Sequence, residues 1–441
     1  MKKQLPFGQL LPLLVLFQLV PLLNYAADFF PDPNVADGAP NSLRAAITLA
    51  NSNNEADVIH LSAGIYGITL AGINENANAT GDFDVLFDGG NRLTIVGLSP
   101  ALSIIDGNNI DRVIHTYGGA ALTLENLTVQ NGLADEAGGI RAVQAGNLRI
   151  KNCHIINNKL TGIGFGGGIF FTSFAGTLQV YNSLIENNSA GNGSGLSFYF
   201  STTPGSELVN VIFRNNTAEF QGAVNINIGG VIKMINCLVV DNQSVQTWPG
   251  GIVVGYDGAD LTVINSTIAD NTGLDPEFGQ GIAAFGGKLT LQNTLLSNPG
   301  LNATITNGEP ELDGNGMPTG AFLPVTDFTS NGGNISDDNS AMSFLTGPND
   351  LNDTEVEFSD PADGDYTLAA GSPAINNGIF SAEVPDEDLQ GRDRIIDGII
   401  DSGAYEFRAF EELPLFSRNE ILLLGFLMLS ISALVLYKRM L

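Results

Sequence analysis

The feature that most constrains this chain is an eleven-residue pattern that recurs seven times. One copy reads LTVINSTIADN, residues 261–271, and its apolar residues alternate on both sides of a central Asn. Successive central asparagines are 26 to 30 residues apart. A repeat of this length is typical of a solenoid, in which each repeat forms one coil that packs on its neighbours. The central residues are Asn126, Asn152, Asn182, Asn210, Asn236, Asn265 and Asn293.

Each repeat predicts three short strands. The alternation of apolar residues before and after the central Asn indicates two strands joined at a bend, and Asn tolerates the left-handed conformation that such a bend requires. Another strand precedes each pair, as in the segments GGIRAV and GGIFFT. It is the first strand of the coil, and the two strands before and after the Asn are the second and the third. Three strands in a repeat of about 28 residues predict an all-β fold, the right-handed parallel β-helix, in which equivalent strands stack in register.

The rows of asparagine have a structural interpretation. An Asn at every bend places its amide above the amide of the preceding coil, so the stacked amides can share donors and acceptors within a tight turn. A second row is predicted to close the following strand in the same way. It consists of Asn131, Asn157, Asn187, Asn215, Asp241, Asp270 and Asn298.

Charge and the two ends of the chain predict where the protein resides. The net charge of -29 argues against nucleic acid as a partner. Residues 1–27 begin with two lysines, continue with an apolar run and end in NYAAD, which predicts a signal peptide cleaved near Ala26 or Ala27. Ile421–Tyr437 carries no charge and precedes KRML, which predicts a transmembrane helix with the bulk of the chain outside.

Four segments resemble parts of known bacterial surface proteins. NSLRAAITLANSN has Asn41 or Ser42 as an N-cap and Leu43, Ile47 and Ala50 on one face, which predicts a helix that caps the solenoid. The segment resembles the CSLREA motif of β-helix surface proteins. FSDPADGDYTLAAGSPAINNG and DLQGRDRIIDGIIDSGAYEF resemble the end of choice-of-anchor Q proteins, and residues 413–441 resemble an IPTL-CTERM sorting signal.

These resemblances imply an exported β-helix that is anchored at the cell surface by its C-terminus, with a sorting protease as a partner that could remove the tail. The predicted organisation has five parts. They are a signal peptide (1–27), an N-terminal cap with the first coils (28–92), the β-helix repeats (93–300), a choice-of-anchor Q-like region (301–412) and a sorting signal with a transmembrane helix (413–441).

The two cysteines, Cys153 and Cys237, follow central asparagines that are three coils apart. Three rungs of ~4.8 Å place them ~14 Å apart, whereas a disulfide needs Cα atoms within ~7 Å. The spacing therefore predicts two free thiols that fill the core.

Pectin lyases and polygalacturonases are also parallel β-helices, so an enzyme has to be considered. A lyase needs a basic residue beside carboxylate-bound calcium on one outer strand face. The repeats place one cation and no carboxylate on the outward row of the first strand, and they show no outward pair of carboxylates suited to a glycosidase. That row is Arg141, Phe170, Ser197, Asn225, Val253 and Ala283.

A non-catalytic surface protein that binds an extracellular polysaccharide, a matrix or a cell-surface partner is therefore predicted. A polysaccharide lyase or a glycoside hydrolase is the alternative, and a purely structural envelope component is the third hypothesis. Fold alone cannot choose among them, because function resides in sites.

Two groups of residues are candidate sites. Acidic residues of the tail could bind calcium, although pairing with Arg392 and Arg394 or simple solvation would also explain them. These candidates are Asp386, Asp388, Asp397 and Asp401. Apolar residues that point outward from the third strand of each coil could form a binding face, unless loops or the tail cover them. These are Leu184, Ile212, Leu238 and Leu295.

Overall fold

The computed structural model describes residues 27–408, apart from residues 74, 88, 90–91, 247, 256–257, 277, 307–309, 313–317 and 323–324. This part of the chain forms a right-handed parallel β-helix of about nine turns, which confirms the predicted all-β class. Residues 1–26 of the predicted signal peptide and the predicted transmembrane helix lie outside the described residues. Within the described ranges, no helix is long and apolar enough to cross a membrane.

Each of nine turns contributes one strand to a parallel sheet that we call the cleft sheet. Equivalent residues stack in register, so that Ile140, Ile169 and Leu196 point into the core above one another. The strands are Phe83–Leu86, Ile114–Tyr117, Ile140–Val143, Ile169–Thr172, Leu196–Tyr199, Val224–Asn227, Ile252–Val254, Ile282–Ala284 and Ala303–Ile305.

The two strands around each central Asn belong to one 19-stranded parallel sheet, the long sheet. The strands before the Asn, with two that run through it, are Arg92–Val96, Ala121–Glu125, Leu148–Lys151, Leu178–Glu186, Glu207–Arg214, Val231–Ile235, Asp260–Ile264, Lys288–Gln292 and Asp327–Ser330. Those after it are Ser103–Asp106, Thr128–Gln130, His154–Ile156, Leu238–Val240, Thr267–Ala269, Leu295–Ser297 and Ile335–Ser336. Asp28–Phe29, Val58–His60 and Gly64–Gly67 complete its front end.

A third sheet and two hairpins complete the strands. The short sheet consists of Leu133–Ala134, Lys159–Leu160, Ser189–Asn192, Thr217–Gln221 and Gln243–Ser244. The antiparallel hairpins are Pro310–Leu312 with Pro318–Phe322, and Phe358–Asp360 with Asp365–Leu368, the latter enclosing the 3-10 helix Pro361–Asp363. Because Asp327–Ser330 pairs with Lys288–Gln292, the solenoid continues beyond the end of the sequence repeats near residue 300.

The front of the solenoid is closed by the helix Leu43–Ala50, at the place that the sequence predicts. Ser42 is its N-cap and accepts a hydrogen bond from the backbone N–H of Ala45. Leu43, Ile47 and Ala50 are buried against the first coils. Capping in this way removes the core of the first turn from water, which an open solenoid end would expose.

One continuous apolar core runs the length of the solenoid. Both cysteines are free and fully buried in it, as their spacing predicts. Burial raises the pKa of each thiol, Cys153 and Cys237, to about 12. They therefore act as small apolar side chains at neutral pH.

The buried asparagine ladder differs from the predicted one by one residue. The first six members of the predicted second row, from Asn131 to Asp270, adopt positive φ, and the ladder is built mainly by the residue that follows each of them. Asn298, the seventh predicted member, belongs to the buried ladder itself. The amides of the ladder bond from one coil to the next at 2.9–3.0 Å. At its end, Asn298 bonds to Asn302, four residues further along the chain, at 3.0 Å. The ladder is Asn158, Asn188, Asn216, Asn242, Asn271, Asn298 and Asn302.

Candidate functional site

The outward row of the cleft sheet begins two coils earlier than the sequence repeats indicate. Strand register places Asp84 beside His115, and His115 beside Arg141. The row therefore does carry a carboxylate, which His115 separates from Arg141, and this corrects the sequence-based inventory of that face. Asp84 was missed because its coil precedes the first recognisable eleven-residue repeat. His115 was missed because its strand, which directly precedes that repeat, lacks the glycine that precedes the equivalent strands of later coils. The strands FDVL and IHTY carried the only signal.

A buried chain of hydrogen bonds holds Arg141. Asp84 Oδ1 lies 3.2 Å from His115 Nδ1, and Arg141 Nη1 lies 2.8 Å from His115 Nε2. A guanidinium can only donate, so His115 Nε2 accepts and the imidazole is neutral, with its proton on Nδ1 directed at Asp84. The second Asp84 oxygen accepts the Asn78 backbone N–H, and Arg141 Nε donates to Glu136 at 2.6 Å. The orientation of Arg141 is thus determined from both sides.

A second arginine lies beneath this chain. Arg112 donates through Nε to Asp82 and through Nη1 to the Glu136 carbonyl at 2.9 Å. Burial raises the pKa of Asp82 to about 7 against the opposing charge of Arg112, and the neighbouring Asp84 carboxylate also raises it. Arg44 of the capping helix donates to the Asp82 carbonyl at 2.9 Å. The network therefore joins the cap to the first two strands of the cleft sheet.

Asp82, Asp84 and His115 have ligand atoms within 4.8 Å of one another, a spacing that a metal ion could use. Their hydrogen bonds argue against that use. Both nitrogens of His115 are engaged, and the guanidinium groups of Arg112 and Arg141 already supply the positive charge. A metal ion placed here would lie next to two guanidinium groups and be repelled by them. We therefore interpret the cluster as a network of ion pairs and hydrogen bonds and not as a metal site.

A cleft of about 470 Å³ opens above Arg141. The side chains of Arg141 and Glu136 are 23% and 34% exposed, and Asp135 is exposed beside them. One guanidinium and two carboxylates can therefore contact a ligand, while their supports remain buried. The lining residues are Asn76, Arg112, His115, Asp135, Glu136, Arg141, Gly164 and Phe165.

An aromatic cluster closes the far end of the cleft. The ring centroid of Phe165 lies 5.8 Å from that of Phe170 and 5.3 Å from that of Tyr199. Beyond this cluster, loops cover the outer face of the cleft sheet. Four of the six residues that the sequence placed on the outward row are consequently fully buried. They are Ser197, Asn225, Val253 and Ala283.

A row of exposed aromatic side chains follows one edge of the cleft sheet, where its strands end. We call Phe87, Tyr117, Phe174 and Phe200 the aromatic ridge. Phe174 is 74% exposed and its ring lies 5.8 Å from that of Phe200. Phe200 has a φ of 54°, which is uncommon for a bulky residue, so the fold holds this ring outward at a conformational cost.

Of the four acidic residues proposed for calcium, only Asp388 and Asp401 are buried, both near Arg394. Asp386 and Asp397 are exposed. Asp388 accepts three backbone N–H groups, including that of Glu406, and Asp401 accepts the N–H groups of Asn376 and Phe407. The two buried carboxylates thus hold the backbone of the tail. These bonds give Asp388 and Asp401 a structural role, and calcium binding by the four residues stays a prediction.

The predicted apolar binding face is largely covered. Residues 356–407, which we call the strap, pack on the long sheet and bury Leu238 and Leu295. Ile212 packs against the same cluster, and Leu184 is half-buried. The alternative that the tail covers this row is therefore the correct one for Leu238 and Leu295.

All seven central asparagines have positive φ, between 44° and 59°. Side-chain hydrogen bonds link Asn126 with Asn152, Asn182 with Asn210, Asn210 with Asn236, and Asn265 with Asn293. Asn236, Asn265 and Asn293 are also fully buried because they bond to the strap. These three residues thus have a second role, which sequence periodicity alone could not indicate.

Comparison with known proteins agrees with this architecture. A family model described as a right-handed β-helix region matches residues 45–204. The crystal structure of the pectate lyase Pel9A is similar, with a TM-score of 0.50 and 15% identity over 87% of this chain and 97% of that one. Escherichia coli ybhc gives a TM-score of 0.34 and 16% identity over 76% of this chain and 88% of that one. A search of curated proteins finds no match.

The fold and the site together define a class: a right-handed parallel β-helix, similar in fold to a pectate lyase, with a polar cleft on one sheet. At 15% identity the likeness concerns the fold alone.

Proposed function

We propose that this protein is an exported surface protein that binds a polysaccharide in the cleft at Arg141 and along the aromatic ridge, without cleaving it. The observation that supports this most is the support of Arg141 by the buried residues His115 and Asp84. A buried polar chain is costly to fold, and this one ends at a partly exposed guanidinium between carboxylates. Planar donors beside carboxylate acceptors are suited to the hydroxyl groups of a sugar.

The aromatic ridge favours an extended ligand. Successive rungs of a β-helix are ~4.8 Å apart, so rings carried on different coils present a line of apolar faces. Tyr117 connects the two features, because it lies two residues from His115 on the same strand and their rings are 5.9 Å apart. A polymer could contact the cleft and the ridge together, whereas a small molecule would occupy only the cleft.

Cleavage by a polysaccharide lyase is the second candidate, and the observation that favours it is the presence of Asp135 and Glu136 beside Arg141 in one cleft. Proton abstraction needs a group that can accept a proton. Arg141 is held by bonds to His115 and Glu136, and both nitrogens of His115 are engaged. Asp135 is then the carboxylate of the cleft that a lyase would have to use as the proton acceptor. Binding is therefore the better supported function.

The test measures retention of the purified protein on a panel of acidic and neutral polysaccharides, with and without calcium. We expect Arg141→Ala to weaken binding about tenfold or more, since a hydrogen bond to a charged group contributes ~1.5–3 kcal/mol. Phe174→Ala should weaken binding to long polymers more than to short oligosaccharides.

Arg149→Ala is the matched control, because Arg149 lies over the ring of Tyr181 on the long sheet, away from the cleft. Equal binding by all three variants and the wild-type protein would exclude the cleft as the binding site. New reducing ends from any polymer would replace the binding hypothesis with the lyase.

A further inference from the structure

Asp57 is a buried carboxylate whose charge has no obvious partner. It is 1% exposed and directly precedes the strand Val58–His60. Among the described residues it forms no ion pair with Lys, Arg or His. Its Oδ1 accepts the N–H of Ala27 at 2.8 Å, whereas Oδ2 is buried with no hydrogen-bond partner in this part of the chain. Burial of an unpaired carboxylate is strongly unfavourable.

The nitrogen of Ala27 is held at this carboxylate by the sheet. The Ala27 carbonyl accepts the Val58 N–H at 3.0 Å, and Asp28 and Phe29 pair in parallel with Val58 and Ile59. A peptide N–H at this position offers Asp57 one neutral donor. An α-ammonium at the same nitrogen would offer three protons and a full positive charge, sufficient for both carboxylate oxygens.

We propose that an endopeptidase hydrolyses the Ala26–Ala27 bond during export and that the new α-ammonium of Ala27 forms a buried ion pair with Asp57. In this step water adds across the peptide bond: its oxygen becomes part of the Ala26 carboxylate, and both of its protons end on the nitrogen of Ala27, which becomes an α-ammonium. Cleavage after Ala27 would instead remove the group that faces Asp57. The inference rests on the proposed export and is independent of polysaccharide binding.

The first test is N-terminal sequencing and intact-mass measurement of the full chain after export from a bacterial host. A mature protein that begins with Ala27 is the expected result. A chain that begins with Asp28, or that retains any residue before Ala27, would overturn the proposal.

The second test measures the unfolding equilibrium of exported Asp57→Asn. We expect the folded-to-unfolded ratio to fall roughly 10–100-fold, because the ammonium would lose its only charged partner. If Asp57 faced an ordinary amide, the substitution would remove an unpaired buried charge and would leave stability unchanged or increased, which contradicts the ion pair. Asp28→Asn is the control, since its side chain on the adjoining strand is 63% exposed and little change is expected.

Discussion

At the scale of single residues, buried charges organise the strap. The guanidinium of Arg394 is fully buried and donates to Glu406 Oε1 at 2.8 Å and to the carbonyl oxygens of Gly403 and Ala404. Asp388 and Asp401 are buried beside it. Three carboxyl groups therefore share one cation. Burial, together with the charge of Asp401, raises the pKa of Glu406 from its ordinary value of 4.5 to about 8.

This shift predicts a pH dependence of stability. An acid whose pKa is higher in the folded protein stabilises the fold fully below its unfolded pKa, and that contribution is lost as pH rises through the folded value. The melting temperature of the wild-type protein should therefore decrease as the pH is raised from about 5 to 8. Glu406→Gln should make this decrease smaller. Glu383→Gln, whose side chain is 47% exposed, should melt like the wild-type protein. Identical pH profiles for Glu406→Gln and the wild-type protein would contradict the prediction.

At the scale of the turn, two successive residues form each bend and have different roles. The first has positive φ, as Asn157 and Asn187 do, and the second sends its amide into the buried ladder, as Asn158 and Asn188 do. The doublet NN was visible in the sequence as the end of several repeats. Which of the two residues is buried depends on the direction that the chain takes after the left-handed residue, and the periodicity of the repeat does not contain that direction.

The ladder predicts a large difference between two asparagine substitutions. Asn216 is fully buried, accepts from Asn188 and donates to Asn242 and to the Ile185 carbonyl. Asn216→Ala should cost about 2–4 kcal/mol in urea unfolding, because it leaves several buried polar groups unpaired. Asn182→Gly is the control, since Asn182 is exposed and glycine retains its left-handed conformation, so about 1 kcal/mol or less is expected. Equal losses would show that the buried ladder contributes no more than the exposed one.

At the scale of the whole molecule, the strap and the solenoid form one packed unit. The hydroxyl of Tyr366 donates to Asp270 at 2.8 Å and lies 3.2 Å from Asp241, two acidic residues at successive bends of the solenoid. Ile379 exchanges hydrogen bonds with the side chain of Asn293. Among the acidic tail residues, Asp388 and Asp401 accept backbone N–H groups of the strap and lie close enough to Arg394 for their charges to act on it. The strap therefore stabilises the last coils and protects their apolar surface from water.

Arg394→Leu should release the strap. The substitution leaves three buried carboxyl groups without a cation, which should cost about 3–5 kcal/mol. Limited proteolysis should then cut within residues 356–407 at least tenfold faster, while the preceding coils remain intact. Arg392→Leu, two residues away and exposed, should be cut at the wild-type rate. Unchanged cleavage of Arg394→Leu would show that apolar packing alone holds the strap.

The parallel β-helix, its capping helix, the free cysteines and the left-handed bends were all predictable from sequence, because each depends on local periodicity or on a turn that only a few residue types can form. The site was not. Asp84, His115 and Arg141 come from three coils, and only the parallel register places them side by side. The strap was not predictable either, because Arg394 and Asn236 are 158 residues apart and meet only when the tail folds back on the solenoid. Repetition along the chain determines the coil, whereas contacts between distant segments decide which of its faces is covered and which is open to a ligand.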